Sequence, residues 1–83
     1  MVQLILYGTA SCHLCEEAEV LLAHGIARRP GRNAVTLTDI AGDAVLLERY
    51  GERIPVLREA QSGAELGWPF DAAVLLDFLH CLN

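Results

Sequence analysis

Apolar and polar positions along the chain fall into blocks, and the first half predicts a strand, a helix and a second strand. Residues 2–7 form an almost unbroken apolar run, typical of a central strand that is covered on both faces. A helix with apolar residues at helical spacing should follow and end at Gly25. Its buried stripe would comprise Leu14, Ala18, Leu21 and Leu22. Residues 35–40 predict a second strand, which should run parallel to the first because a helix connects them.

The middle of the chain predicts a short helix. Asp43 would accept hydrogen bonds from the first turn of a helix over residues 44–50, and Gly51 would end it. Because the sequence is apolar just after Asp43, that part of the helix should face the core. The residues expected to be buried there are Val45, Leu46 and Leu47.

The last third of the chain predicts a hairpin followed by a helix. Residues 59–63 are polar and turn-rich, so residues 54–58 and 64–68 should pair as antiparallel strands. Pro69 and Asp71 would begin the final helix, in which apolar residues form a wide stripe. That stripe would comprise Val74, Leu75, Phe78, Leu79 and Leu82.

Composition narrows the class of protein. The 83 residues, 53% of them hydrophobic, suit one small globular domain over residues 1–83. A net charge of -5 argues against a nucleic-acid surface, and the N-terminal apolar run is too short for a secretory signal or a membrane span. Three cysteines are too few for a disulfide framework, so we expect the reducing cytoplasm. The loop with Arg28, Arg29, Pro30 and Arg32 is either an anion site or, as we favour, simply solvated.

Two cysteines lie three positions apart where the first strand meets the first helix. Cys12 would occupy the helix N-terminus, where unpaired N–H groups and the helix dipole stabilise a negative charge. Its pKa should lie below the free-cysteine value of about 8.5, so Cys12 would attack a disulfide and Cys15 would resolve the product. Ser11 and His13 would modulate Cys12. His13 is either an electropositive neighbour of the thiolate or a solvent-exposed residue of the first turn.

The predicted order strand–helix–strand–helix–strand–strand–helix, with these cysteines at the first junction, resembles the glutaredoxin branch of the thioredoxin superfamily. The likeness covers nearly the whole chain and is greatest to short glutaredoxin-like proteins. The matching segments are Leu6-Tyr7, Cys12-His13-Leu14-Cys15-Glu16-Glu17, Arg49-Tyr50-Gly51, Arg53-Ile54-Pro55-Val56-Leu57 and Trp68-Pro69-Phe70-Asp71.

The resemblance implies an α/β fold, thioredoxin/glutaredoxin-like, with a four-stranded mixed sheet of order 2-1-3-4 flanked by helices. It implies that Pro55 is cis and that the backbone of Ile54 pairs with an extended substrate. Arg53, Trp68 and Asp71 would flank this binding site. Trp68 could equally pack against the last helix, and for Asp71 we favour the helix N-cap over ligand binding.

Departures from the glutaredoxin pattern bear on the reductant. Glutaredoxins usually carry Cys-Pro-Tyr-Cys, a lysine shortly before it and a Gly-Gly-x-x-Asp turn that holds glutathione. Here Thr9 stands in place of the lysine, His13 and Leu14 separate the cysteines, and residues 67–71 occupy the turn. Glutathione therefore remains a candidate co-substrate, but we expect a dithiol reductant to work better.

The function we infer from the sequence is thiol-disulfide oxidoreductase activity of the Cys12/Cys15 pair. We expect a monomer with no dissociable cofactor, no membrane contact, and a disulfide-containing protein or a small-molecule thiol as partner. The alternative is a non-catalytic thioredoxin-fold module that binds a partner through residues 54–55 and 68–71.

The same cysteine spacing also occurs in metal sites, and inert burial is a third interpretation. A closed zinc site needs four ligands. In the fold that the resemblance implies, His80 and Cys81 would lie roughly 15 Å from the pair, at about 1.5 Å per helical residue. We therefore expect no metal and interpret Cys81 as a small core residue.

Overall fold

The computed structural model describes residues 2–28 and 31–82 and contains the predicted order of elements. The strands are β1 (Val2–Gly8), β2 (Asn33–Asp39), β3 (Val56–Glu59) and β4 (Glu65–Gly67). The helices are α1 (His13–Ala27), α2 (Ala44–Tyr50) and α3 (Ala72–Leu82). Arg29 and Pro30, part of the predicted arginine loop, lie outside the described residues. None of the described helices is long and apolar enough to cross a membrane.

The four strands form one mixed sheet in the order β2-β1-β3-β4, which confirms the thioredoxin/glutaredoxin-like topology. β1 runs parallel to β2, with Gly8 beside Asp39. β3 runs antiparallel to both β1 and β4, and one row across the sheet joins Tyr7, Val56 and Gly67. One end of the sheet therefore holds the residues that follow this row along β1 and β4. The residue that precedes the row on β3 lies at the same end.

Alternation along β1 directs side chains to two separate cores. Leu4 and Leu6 pack on one face with α1 and α3, through residues such as Ala18 and Leu75. Tyr7 packs on the other face, where α2 contributes Tyr50. The remaining buried members of the first core are Val2, Leu22, Leu57, Phe70 and Leu79, and those of the second are Ile40 and Val56.

Several apolar residues predicted to face the core are exposed instead, because each helix buries a narrower stripe than its sequence allows. The buried residues of α1 are Cys15, Ala18, Leu22 and Gly25, so the buried stripe does not include Leu14. In α2 only Tyr50 is fully buried, and Val45 is 72% exposed. The residues whose predicted burial is wrong are Leu14, Val45, Leu47 and Val74.

Gly25 does not end α1, contrary to the prediction. It lies inside the helix, which continues to Ala27, and the Arg28 N–H donates to the Gly25 carbonyl at 3.2 Å. A Cβ at this position would lie 3.2 Å from Leu75 Cδ2 and 3.3 Å from Leu79 Cδ1. The absence of a side chain at Gly25 therefore allows α1 and α3 to approach closely.

Carboxylates fix the helix starts and the hairpin turn. Asp43 Oδ1 accepts from the Val45 N–H at 3.0 Å, and Asp71 Oδ1 accepts from the Val74 N–H at 2.9 Å, so both predicted N-caps are confirmed. The buried Glu59 accepts from the backbone N–H groups of Ser62 and Gln61, at 2.8 and 3.1 Å. These bonds lower the pKa of Glu59. In the β3–β4 turn, the charged carboxylate thus accepts hydrogen bonds from N–H groups in place of backbone carbonyls.

Candidate active site

The two close cysteines form a disulfide at the start of α1. After β1 ends, a short loop turns the chain, and the Cys12 N–H donates to the Thr9 carbonyl at 3.2 Å. Cys12 is then the N-cap residue, with extended backbone angles, and the Cα atoms of Cys12 and Cys15 are 5.1 Å apart. The Cys15 N–H donates to Cys12 Sγ at 3.0 Å. Because that N–H points at the sulfur, it would stabilise a thiolate at Cys12 after reduction.

The two sulfurs differ in exposure. Cys12 is half-buried, whereas Cys15 is only 8% exposed and packs against the end of β1. A Cβ on Gly8 would lie 2.8 Å from Cys15 Sγ, so only glycine leaves room for the resolving sulfur here. This role of Gly8 was not among the predictions from the sequence. The available signal was a glycine directly after an apolar strand and before a cysteine pair.

We predict that reduced Cys12 is alkylated faster than Cys15 at neutral pH. The geometry gives Cys12 a hydrogen-bond donor and access to solvent, while Cys15 is buried. Alkylation rates of Cys15→Ser and Cys12→Ser, each in a background without Cys81, would measure this over a range of pH. Faster modification of Cys15 would contradict the assignment of Cys12 as the nucleophile.

Ser11 and His13 flank Cys12 on the exposed side of the loop. The His13 side chain is exposed and lies 3.5 Å from a Glu17 carboxylate oxygen and 3.7 Å from one of Glu16. Ser11 is exposed as well. The imidazole therefore lies beside these two carboxylates in the first turns of α1.

The segment around Pro55 lies at the same end of the sheet as the disulfide. Its peptide bond with Ile54 is cis, as is the Trp68–Pro69 bond, and Pro55 is buried. The Trp68 N–H donates to the Pro55 carbonyl at 3.1 Å, so the structure brings these two predicted residues together. The Ile54 N–H donates to the Tyr50 carbonyl at 3.1 Å. The Ile54 N–H is therefore not free to pair with a substrate, contrary to the expectation, whereas its carbonyl accepts no backbone hydrogen bond from the described residues.

Trp68 combines the two roles that the sequence left open. Its ring meets Phe70 edge to face, with centroids 5.0 Å apart, and packs against the core beneath α1 and α3. It also lines a surface groove together with Glu16 and Glu17 of α1. Trp68 is therefore anchored by packing and still borders the surface next to the disulfide.

A polar network around Tyr50 fixes the segment that leads to Pro55. The Tyr50 hydroxyl donates to Glu65 Oε2 at 2.6 Å and accepts from Arg58 Nη1 at 3.2 Å, while Arg53 Nη2 donates to Glu65 Oε1 at 3.0 Å. The Tyr50 ring stacks on Tyr7 with centroids 4.5 Å apart. Tyr50, Arg58 and Glu65 were not among the predicted site residues. For Arg58 and Glu65 the available signal was a charge in each of two short strands, where solvent-facing and core-facing positions alternate.

Within this network the charge of Glu65 is stabilised. The hydrogen bond from Tyr50 lowers the pKa of Glu65, and the Arg53 guanidinium lowers it further, against the opposing effect of burial. Burial raises the pKa of Tyr50, and the Glu65 carboxylate adds to that effect. Arg53 thus lies near the candidate site, but its guanidinium forms an ion pair with Glu65.

We predict that Glu65→Gln destabilises the fold by about 1–3 kcal/mol near neutral pH, because it weakens charged hydrogen bonds. The pKa of Glu65 in the fold lies below its usual 4.5, so its stabilisation is present above that value and is lost as pH falls through the lowered pKa. The difference from the unmodified protein should therefore shrink in acid. Urea unfolding at neutral pH and at about pH 3 measures this. The exposed Glu52→Gln is the matched control, and an equal effect of both substitutions would contradict the prediction.

Cys81 is a free, exposed thiol on α3, contrary to its predicted place in the core. The buried residues of α3 are Leu75 and Leu79, one helical turn apart. Cys81 follows Leu79 by two residues and so points to the opposite side of the helix. Within residues 2–28 and 31–82, no group of three or more His, Cys, Asp or Glu side chains could hold a metal ion.

A four-stranded mixed sheet of this order, with a Cys-x-x-Cys disulfide where β1 meets α1, defines a thioredoxin-fold protein with a redox-type cysteine centre. The family model of the glutaredoxin-like domain (DUF836) matches residues 3–80. The chain belongs to this glutaredoxin-like family, as its motifs predicted.

Two solved structures are similar over almost their full lengths. The X-ray structure of Northeast Structural Genomics target protein XcR50 from X. campestris is 44% identical, with a TM-score of 0.81, over 94% of this chain and 96% of that one. The solution NMR structure of protein Ne2328 from Nitrosomonas europaea is 28% identical, with a TM-score of 0.76, over 93% and 89%. Comparison with curated protein sequences finds no significant match.

Proposed function

We propose that the protein is a thiol-disulfide oxidoreductase that reduces disulfides with the Cys12/Cys15 pair. The observation that carries the proposal is the asymmetry of this pair. Cys12 is half-buried and its sulfur accepts a hydrogen bond from the backbone N–H of Cys15, whose own side chain is buried. An accessible, stabilised thiolate suits the attacking sulfur, and a shielded sulfur within bonding distance suits the resolving one.

The reaction takes two exchange steps. The Cys12 thiolate attacks one sulfur of the substrate disulfide, and the bond between the substrate sulfurs breaks to release one thiolate, which takes up a proton from water. The Cys15 thiolate then attacks Cys12 Sγ and releases the second substrate thiolate. The substrate gains two electrons, and Cys12 and Cys15 become the disulfide. An external dithiol returns the pair to its reduced form.

The substrate would bind beside Pro55. The Ile54 carbonyl is available there for one strand-like hydrogen bond, and the groove lined by Trp68 adjoins the first turns of α1. Arg53 and Asp71 would border this surface, although the Asp71 carboxylate also serves as the N-cap of α3. Ser11 and His13 would act on Cys12 from the solvent side.

A dithiol is the reductant we propose, in the reducing cytoplasm. Glutathione carries carboxylates that need cationic partners beside the nucleophile. Arg53, the cationic residue predicted to flank the site, donates a hydrogen bond to Glu65, and Glu16 and Glu17 add negative charge at the start of α1. Like-charge repulsion would therefore weaken glutathione docking.

A test of the function follows the reduction of a protein disulfide by catalytic amounts of this protein and excess dithiol. We predict that Cys12→Ser reduces turnover to the rate without protein, because the attacking sulfur is lost. Cys81→Ser removes an exposed thiol on α3 and should retain full turnover. Unchanged turnover in Cys12→Ser would contradict the proposal. A binding module would instead show no turnover and the same partner affinity with and without Cys12.

A further inference from the structure

β2 forms one edge of the sheet, and its first six residues lack the features that usually protect such an edge. It has seven residues, whereas β4 at the opposite edge has three, including Glu65. Natural edge strands are commonly short, charged or interrupted by proline. Residues 33–38 contain no charge, proline or glycine, and Val35 and Leu37 are 40% and 54% exposed. The β2 edge therefore has the properties of a strand that pairs with another chain.

The hydrogen bonds to β1 determine which backbone groups of β2 point outward. The Val2 N–H donates to the Arg32 carbonyl and the Ile40 N–H donates to the Gly8 carbonyl, both at 3.0 Å. Even-numbered residues of this segment thus direct their backbone polar groups to β1. Because successive residues of a strand alternate in this respect, Val35 and Leu37 direct their N–H and C=O groups away from the sheet.

In contrast to the monomer expected from the sequence, we propose that the β2 edge pairs with the β2 edge of a second copy of this chain. The strands would run antiparallel about a two-fold axis at Thr36, so that Val35 lies opposite the partner's Leu37 and Leu37 opposite the partner's Val35. Both pairs use the outward backbone groups and so make two hydrogen bonds each. The dimer would contain one continuous eight-stranded sheet.

The side chains and charges of β2 fit this register. Val35 and Leu37 lie beside Leu4 and Leu6 of β1, so they share the face of the α1/α3 core and would extend its apolar layer across the axis. Asp39, the one charged residue of β2, is its last residue. In the antiparallel arrangement each Asp39 lies directly opposite the partner's Asn33 and on the same face, so a carboxylate meets an amide and not a like charge.

The dimer is compatible with the proposed function. β1 and β3 separate β2 from β4. The surface between Pro55 and Trp68 therefore lies toward the β4 edge of the sheet, away from the proposed interface. The antiparallel arrangement places the two disulfides at opposite ends of the joined sheet. Dimerisation would therefore leave the surface between Pro55 and Trp68 uncovered, whereas Leu37 and Asp39 line a groove with Cys15 on the β2 side of the disulfide. Turnover of Val35→Lys, which lies outside that groove, distinguishes a failure of this proposal from a failure of the proposed function.

Sedimentation equilibrium of the full chain, with Val35→Lys and Leu37→Glu, tests the register. Each variant should raise the dimer dissociation constant by roughly tenfold or more, since each removes two apolar pairs per dimer. An equimolar mixture should restore association, because Lys at 35 then faces Glu at the partner's position 37. Val45→Lys, exposed on α2, is the matched control and should associate like the unmodified protein.

A cross-link gives a second measurement that does not depend on the charge variants. Thr36→Cys, in a background with the three native cysteines changed to serine, should form an intermolecular disulfide, because Thr36 lies on the axis as a closely spaced non-hydrogen-bonded pair. Val45→Cys in the same background should not. The proposal would be overturned if the unmodified protein were monomeric or if the edge bound only a strand of another protein. It would also be overturned if the mixture of variants failed to associate, or if Thr36→Cys and Val45→Cys cross-linked equally.

Discussion

Cys15→Ser should convert the protein from a catalyst into a trap that stays covalently bound to its substrate. Cys12 can still attack a disulfide, since its helix-start position remains, but the sulfur that releases the product is gone. Mixed disulfides between Cys12 and the substrate protein should therefore accumulate, and turnover with a dithiol should fall to a small fraction. Non-reducing electrophoresis and mass spectrometry would detect the adduct, which should be absent in the Cys12→Ser, Cys15→Ser double variant.

The same variant distinguishes the two reductants. Glutathione could release the product from Cys12 without Cys15, provided that it docks well next to the mixed disulfide. We expect little such release, because Arg53 bonds Glu65 and carboxylates surround the start of α1. Rapid glutathione turnover of Cys15→Ser that collapses in the added Arg53→Ala would contradict this expectation and make the protein a functional glutaredoxin.

Gly8→Ala should destabilise the oxidised protein by about 1–3 kcal/mol, as overpacking in a close-packed site usually does. The new methyl group would lie 2.8 Å from Cys15 Sγ and 3.0 Å from its Cβ. In the oxidised state Sγ is held by its bond to Cys12 and cannot rotate away, whereas the free thiol has other rotamers. The loss should therefore be larger in the oxidised than in the reduced protein, and the disulfide should become easier to reduce.

Thermal unfolding of both redox states measures this effect, with an expected drop of roughly 5–15 °C for the oxidised form. Gly67→Ala is the matched control, because it also lies in a strand and a Cβ there meets no atom within 4 Å. Equal losses in the two redox states, or equal losses for Gly8→Ala and Gly67→Ala, would show that contact with Cys15 is not the cause.

Local patterns in the sequence predicted most of the fold. The order of elements and the caps at Asp43 and Asp71 depend on neighbouring residues, so the structure confirms them. Burial on the helices was harder to predict, because it depends on which neighbours cover each face. Val45 and Cys81 are apolar residue types on sides of α2 and α3 that no other described element covers, and so they are exposed.

Only the local part of the candidate site was predicted, because the rest depends on contacts between residues that are distant in the sequence. The cysteine pair is a local motif, and its disulfide and family membership agree with the prediction. The partners of Glu65 come from residues 12 and 15 positions away in the chain, and no local pattern indicates such contacts. The close approach of Gly8 to Cys15 likewise depends on how α1 packs on β1.

The sheet separates two cores of unequal size, and this difference has a consequence for dynamics. Among residues 2–28 and 31–82, nine buried residues join the sheet to α1 and α3, whereas four form the core beneath α2, and α2 itself has seven residues. Layers with fewer apolar contacts open at lower free energy, and their amide hydrogens exchange sooner. The hydrogen bonds of Tyr50 and Arg53 hold the end of α2 and the segment that leads to Pro55, so the earlier residues of α2 should open first. Such opening would leave both the Pro55 segment and the cysteine-bearing start of α1 in place.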